Sequence, residues 1–433
     1  MTTANDQLVG RGNRDGAALF RDWFTELTQT AEAGQQSAYV FVMGSLNEIL
    51  KTFDLPVVFP EINSLQTAVR RVAGDYLATA EDYGYSPDIC GYVKADVAVQ
   101  INGGEHPMGR IPKPSIAVLT NACNTYIKWA EIWERIHGCP VVTIDVPGTR
   151  QADTQTWPGD PDFENDCRYV EKQIHELIKT CEKVTGIKFD IDKFREILGH
   201  ANRMSVGWKK VIEANKSMPA PFNALTDGTI FLGVANGFRG TKEGGDYFDD
   251  LVEEMQYKAE HGIGGLTEEE WRLVFIGVPC YPIFRKFNEL FTDWGGSFIN
   301  STYLWFASGG TNLGFEYDLK DPIKSLAQGL LISVRDAMDS MFHQDRMLLD
   351  MVDDFNVDGI VYHPIKSCRT VSTGLADSRG YFAGKRDIPS LFVESDMMDA
   401  RVISEAQMKN RIDAFFEGLK SRKDQAAIAG KEG

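Results

Sequence analysis

The chain has 433 residues, a net charge of -17, seven cysteines and 43% hydrophobic residues. That length predicts two to three domains with a substantial core, and the acidity argues against nucleic acid, whose phosphates need clustered Lys and Arg, while leaving small anionic ligands open. No run is apolar enough to span a bilayer and Met1–Arg14 shows no secretory signal, so the reading is a cytoplasmic protein without membrane contact, whose cysteines are metal ligands or buried thiols rather than a disulfide framework.

In chain order, residues 1–38 form a helical segment. Its amphipathic helix over Asp15–Glu32 presents Leu19, Phe20, Trp23, Phe24 and Leu27 on one face. A first α/β lobe spans 39–160, with a buried strand at Tyr39–Met43 running into a turn and helix start at Gly44–Leu50. Ser115–Leu119, Thr125–His137 and Val141–Asp145 then read as strand, helix and strand, the spacing of a right-handed βαβ crossover that Pro147 and Gly148 end. Residues 161–216 read as a helical linker with charged faces over Tyr169–Val184 and Asp192–Trp208. A second α/β lobe covers 217–425, with strands at Leu273–Ile276, Gly296–Ile299, Asp358–Tyr362 and Ser390–Glu394 and helices at Ile323–Asp339 and Ser404–Lys420. Ser404 and Gln407 make a capping box for the last helix, and the tail after Arg422 is expected to fray. The fold class is α/β: two Rossmann-like, flavodoxin-like parallel-sheet lobes. No solenoid repeat is visible.

No phosphate-binding loop and no Gly-x-Gly-x-x-Gly after a strand is present; Gly244-Gly245 and Gly309-Gly310 fit neither template. Any energy input must come from another protein. The chemistry therefore rests on cysteine. Cys90 (SPDICGYVK, Ser86–Lys94), Cys123 (LTNACN, Leu119–Asn124) and Cys368 (YHPIKSCR, Tyr362–Arg369) each follow an apolar run or a turn, where an α/β protein gathers its site residues. Three thiolates converging from distant segments make an incomplete iron–sulfur or zinc site. Cys280, in Gly277–Pro282, follows a strand toward the same crevice and competes with them on position alone. Cys167 and Cys181 read as incidental helix thiols and Cys139 as core. His363 could pair with Cys368 or complete a zinc site, but a loop histidine bonded to backbone is the plainer account. Trp294, Phe298, Tyr303, Trp305 and Phe306 could wall a flat apolar substrate or simply be packed core. Glu48 and Glu61 lie near the end of the first strand and in the loop beyond, where a carboxyl could handle protons, against the blander role of a helix-start Glu favoured by the dipole.

These residues resemble the family that unites the D-component subunits of 2-hydroxyacyl-CoA dehydratases with two subunits of ATP-dependent benzoyl-CoA reductase. The resemblance runs from Gly44–Leu50 (GSLNEIL) to Ile388–Asp396 (IPSLFVESD) and the Gln407 helix to Arg411. It matches Cys90, Cys123 and Cys368 to the family's cluster-ligating cysteines and disfavours Cys280. Leu46–Glu48 and Asp88–Asp96 are most similar to the larger, B-type benzoyl-CoA reductase subunit; dehydratases more often carry Pro-Glu where Asn47-Glu48 stand. The resemblance implies an oxidoreductase subunit of an anaerobic aromatic-degradation complex, with a [4Fe–4S] cluster on Cys90, Cys123 and Cys368; of the two carboxyls, Glu48 at the strand–helix turn is the one expected to handle protons. It implies a paralogous cluster-binding subunit and ATP-hydrolysing electron-activating subunits, with ferredoxin as upstream donor and an aromatic acyl-CoA as substrate. The ring would be reduced to a cyclic dienoyl-CoA by low-potential single electrons. The alternatives are a subunit of a 2-hydroxyacyl-CoA dehydratase, a radical lyase, and a non-catalytic structural partner subunit.

Overall fold

Short runs of aliphatic and β-branched residues, buried on both faces, set the strands, as expected where helices cover both sides of a parallel sheet. The computed structural model describes residues 8–148, 156–306, 314–339 and 341–429. The first sheet holds β1 (Ala38–Val40), β2 (Val57–Val58), β5 (Ile116–Thr120) and β6 (Val141–Ile144); between them, β3 (Glu105–His106) and β4 (Gly109–Arg110) make a small antiparallel hairpin. The second sheet holds β7 (Trp271–Ile276), β8 (Gly296–Ser301), β9 (Gly359–Tyr362) and β10 (Ser390–Phe392).

The orders are β2-β1-β5-β6 and β10-β9-β7-β8, parallel throughout. Counted within its own sheet, each has its first strand between its second and third. That is the flavodoxin-like arrangement, whose ligand crevice opens where the order reverses, between strands one and three. The expected two parallel-sheet lobes are therefore present, and they share one topology. In the first, the switch point lies between β1 and β5; in the second, between β7 and β9.

The helices differ from expectation at their ends. The N-terminal helix runs Arg11–Glu32, with Trp23, Phe24 and Leu27 buried. Residues 161–216 supply two long helices, Pro161–Thr185 and Ile191–Ala214, whose apolar faces join the main core. The helix expected over Ile323–Asp339 is α-helical only from Pro322 to Leu330 and continues as a π-helix over Leu331–Asp339. Those wider turns set Val334 against Gly44 and bring Arg335 to 3.6 Å from Asp166. The last helix runs Glu405–Ala429, beyond the point where fraying was expected, because its Lys-, Gln- and Ala-rich end is a good helix former.

Candidate active site

Three cysteines lie near enough for their charges to interact where the two lobes face each other, each at the residue that opens a helix. Cys123 follows β5 and caps the helix Asn124–His137; Cys368 follows β9 and precedes the short helix Arg369–Ser372. These two loops are equivalent in the two lobes, each leaving the third strand at its switch point. Cys90 is different: it follows no strand but a turn after the helix Ala73–Tyr83, and caps the helix Gly91–Ile101. The charges of Cys123 and Cys368 both act on Cys90, and that of Cys123 acts on Cys368. Cys123 Sγ lies 3.3 Å from the Thr370 hydroxyl of the other lobe.

The surroundings fix each thiol. Lys94 is buried one turn into the Cys90 helix, and its Nζ donates to the Pro87 carbonyl at 2.8 Å and to Glu81 at 2.9 Å, holding the turn that carries Cys90. Glu81 also accepts two bonds from Arg401 of the second lobe, and these cations hold its carboxyl down at about 2. Gly91 lets the lobes approach: a Cβ there would stand 2.6 Å from Met398 Cβ. The Asp396 carboxylate accepts the N–H groups of Ser367, Met398 and Asp399, at 2.8, 2.8 and 3.0 Å, so one side chain orders both the Cys368 loop and the turn against Gly91.

Burial, and then the neighbouring Cys368, push the Cys90 thiol well above its ordinary range, partly offset by the Val93 and Tyr92 N–H groups at its sulfur. Burial likewise pushes Cys368 up to about 11, offset by the Val371 and Thr370 N–H groups. Thiols held protonated are poor nucleophiles, but a bound metal deprotonates its thiol ligands outright. Three clustered sulfurs that repel one another as anions are a donor set suited to a cationic iron–sulfur group. Among the described residues no three His, Cys, Asp or Glu are gathered tightly enough to hold one metal ion. A cluster asks less convergence, because its cysteines bind different irons.

The other cysteines and His363 have partners of their own or are packed in the core. Cys280 leaves β7 and is fully buried, its thiol pushed up to about 11 by burial and hydrogen-bonded to Ser395. His363 Nδ1 donates to the Val278 carbonyl at 2.6 Å and its Nε2 accepts from Ser395 Oγ at 2.5 Å, with burial lowering its pKa to about 4. Both ring nitrogens are thus engaged within the second lobe. Cys139, Cys167 and Cys181 are core. Of the aromatic group, Phe298 is core, packed on Phe275 and Phe291, and the half-buried Trp294 stacks on Phe416 at the core's edge. Trp305 donates to Asn300 Oδ1. The Phe306 side chain and Gly309-Gly310 lie outside the described residues.

Tyr303 belongs instead to a buried polar nest behind the thiols. Glu61 opens the helix Pro60–Val69, accepts the Val42 N–H at 2.7 Å and bonds the Tyr126 hydroxyl. Burial raises its carboxyl to about 7. Tyr126, one turn after Cys123, lies flat on Phe41 at 3.7 Å and is sensitive to the charges of Glu61, Cys123 and Cys90. Tyr92, two residues after Cys90, links Cys90 electrostatically to Glu61, Tyr281 and Tyr303. Glu48 is in a separate setting: it is ion-paired with Arg239 and accepts from the Tyr317 hydroxyl at 3.0 Å, all buried. Spacing along the chain carries no signal for the pairing of Glu61 with Tyr126, sixty-five residues apart.

A two-lobed α/β protein with thiols from both lobes at its crevice defines a class, and the chain's relatives define the family. Residues 45–419 match the family described as 2-hydroxyglutaryl-CoA dehydratase, D-component, and the chain belongs to it. It is 31% identical to the B-type benzoyl-CoA reductase subunit of Thauera aromatica over 94% of each chain. It is 27% identical to the (R)-phenyllactyl-CoA dehydratase alpha subunit of Clostridium sporogenes over 87% of this chain and 88% of that one. The (R)-2-hydroxyisocaproyl-CoA dehydratase alpha subunit of Clostridioides difficile is 26% identical over the same shares.

Proposed function

We propose that this chain is the iron–sulfur subunit of a benzoyl-CoA reductase-type complex, acting on an aromatic acyl-CoA with a paralogous partner subunit and ATP-hydrolysing electron-activating subunits fed by ferredoxin. The observation that carries this reading is the meeting of Cys90, Cys123 and Cys368 at the lobe interface of a chain similar along nearly its whole length to a benzoyl-CoA reductase subunit. These three residues would hold a [4Fe–4S] cluster, which supplies single electrons at low potential when bound.

The chain's own residues do the rest. Glu61, its carboxyl raised to about 7 by burial, accepts from the Tyr126 hydroxyl beside Cys123, a poise suited to proton transfer at neutral pH. Of the two carboxyls considered for that role, Glu61 has the better setting, while the Arg239 pair gives Glu48 a structural task. The Phe41 ring stacked on Tyr126 keeps water from this hydrogen bond.

The test is stoichiometric. The anaerobically assembled complex should consume reductant at every turnover with benzoyl-CoA. Many turnovers per electron on 2-hydroxyacyl-CoA esters, with no benzoyl-CoA reduction, would instead make it part of a dehydratase, the reading that the dehydratase relatives support.

A further inference from the structure

Thr370 is exposed, two residues beyond Cys368, and touches two of the three cysteines from one position. Its hydroxyl lies 3.3 Å from Cys123 Sγ, across 247 residues of chain and across the lobe interface. Its backbone N–H lies at the Cys368 sulfur together with that of Val371. A ligating cysteine is a thiolate and has no proton to give, so in the loaded protein the Thr370 hydroxyl must be the donor. The second lobe thus places an O–H dipole on a sulfur that the first lobe supplies.

We propose that Thr370 is a potential-setting residue: its O–H···S bond to Cys123 makes the bound cluster easier to reduce. The inference rests on the cluster reading above. Its physical basis is that reduction adds one negative charge to the cluster and its sulfurs, and a donor dipole aimed at a sulfur stabilises the reduced form more than the oxidised one. The bond also tells the lobes apart. Cys368 receives fixed backbone donors, which no substitution at a side chain removes, whereas Cys123 has this hydroxyl from the opposite lobe.

The test is a redox titration of the purified, cluster-loaded full chain, read by its paramagnetic signal, with iron counted in every sample. Thr370→Val keeps the shape of the side chain at an exposed site and removes the donor; its midpoint should move to a more negative potential with iron content unchanged. Thr370→Ser should return the wild-type value. Should Thr370→Val shed its cluster, Thr370→Ala is titrated in its place and should show the same negative shift. A wild-type midpoint in the donor-less variant at full iron overturns the inference, as does a Thr370→Ser midpoint displaced as far as that of Thr370→Val. A wild-type chain without iron, or one whose iron survives replacement of Cys90, Cys123 and Cys368, fails the cluster reading itself and is recognisable before Thr370 is touched.

Discussion

Glu48 and Glu61 are both buried carboxyls near the first crevice, yet their surroundings differ. Glu48 faces Arg239, and removing one partner of a buried ion pair costs about 3–5 kcal/mol because the other charge stays behind. Glu48→Ala should therefore lower the denaturant midpoint sharply, whatever substrate is present. For Glu61, the Tyr126 hydroxyl and the Val42 N–H are set against the larger cost of burial. Its folded pKa of about 7 lies above the usual 4.5, so the stability it contributes is full below pH about 4.5 and is lost as the pH climbs through 7. At about 1.4 kcal/mol per unit that is about 3 kcal/mol in all. Glu61→Gln should flatten this part of the stability–pH curve and match or exceed wild type at pH 8, while turnover collapses. A Glu61→Gln variant that keeps its activity would remove the proton-handling role, and loss of turnover in a well-folded Glu48→Gln would restore Glu48 to it.

At the scale of elements, the site is built from helix starts rather than strand ends alone. Gly91 is the point where the Cys90 helix meets the turn at Met398, and the added methyl of Gly91→Ala would stand 2.6 Å from Met398 Cβ. Both backbones there are tied down, the turn by Asp396 and the helix start by Lys94 on Pro87. Overpacking of this kind costs about 1–3 kcal/mol; Gly91→Ala should lower the melting temperature and also the iron bound per chain. Full iron in that variant would mean that the close approach does not govern where Cys90 sits. The same elements show what could be read from residues alone. Apolar runs mark β5, β7 and β9 to within a few residues, since strands buried on both faces carry continuous hydrophobic signal, and the half-exposed β6 is marked by its place after the Asn124–His137 helix. The two-residue β2 and the hairpin of β3 and β4 are too short for any period, and the π-helical turns after Leu330, which set Val334 against Gly44, carry no signal in the apolar periodicity. Cys123, Cys368 and Cys90 could be singled out by motif, but Cys280 could be demoted only by resemblance. Its place beside Ser395 and His363 is a matter of topology.

Over the whole molecule, the lobes are joined by much more than three sulfurs. The N-terminal helix spans them: Trp23 donates to the Val57 carbonyl of β2 and Phe24 stacks on His106, while Glu254 accepts the N–H groups of Gly10 and Gly12 at the other end, both at 2.6 Å. A single apolar cluster runs from this helix through both sheets to Phe416 and Leu419. The helices over 161–214 are part of that core, not a loose tether. Metal-ligand free energy exists only in the folded arrangement, so a cluster bound by both lobes adds to stability by mass action without being what holds them together. Removing iron with a chelator should then lower the melting temperature by several degrees and speed hydrogen exchange in the loops around Cys90, Cys123 and Cys368. The circular dichroism and sedimentation of the chain should stay native, with one unfolding transition. Cys368→Ala should behave in the same way, losing colour and iron while resisting protease as the iron-free wild type does. Two separate transitions after iron removal, with the β1–β6 half and the β7–β10 half melting independently, would show that the shared core is too weak to join the lobes and that the cluster is the clamp.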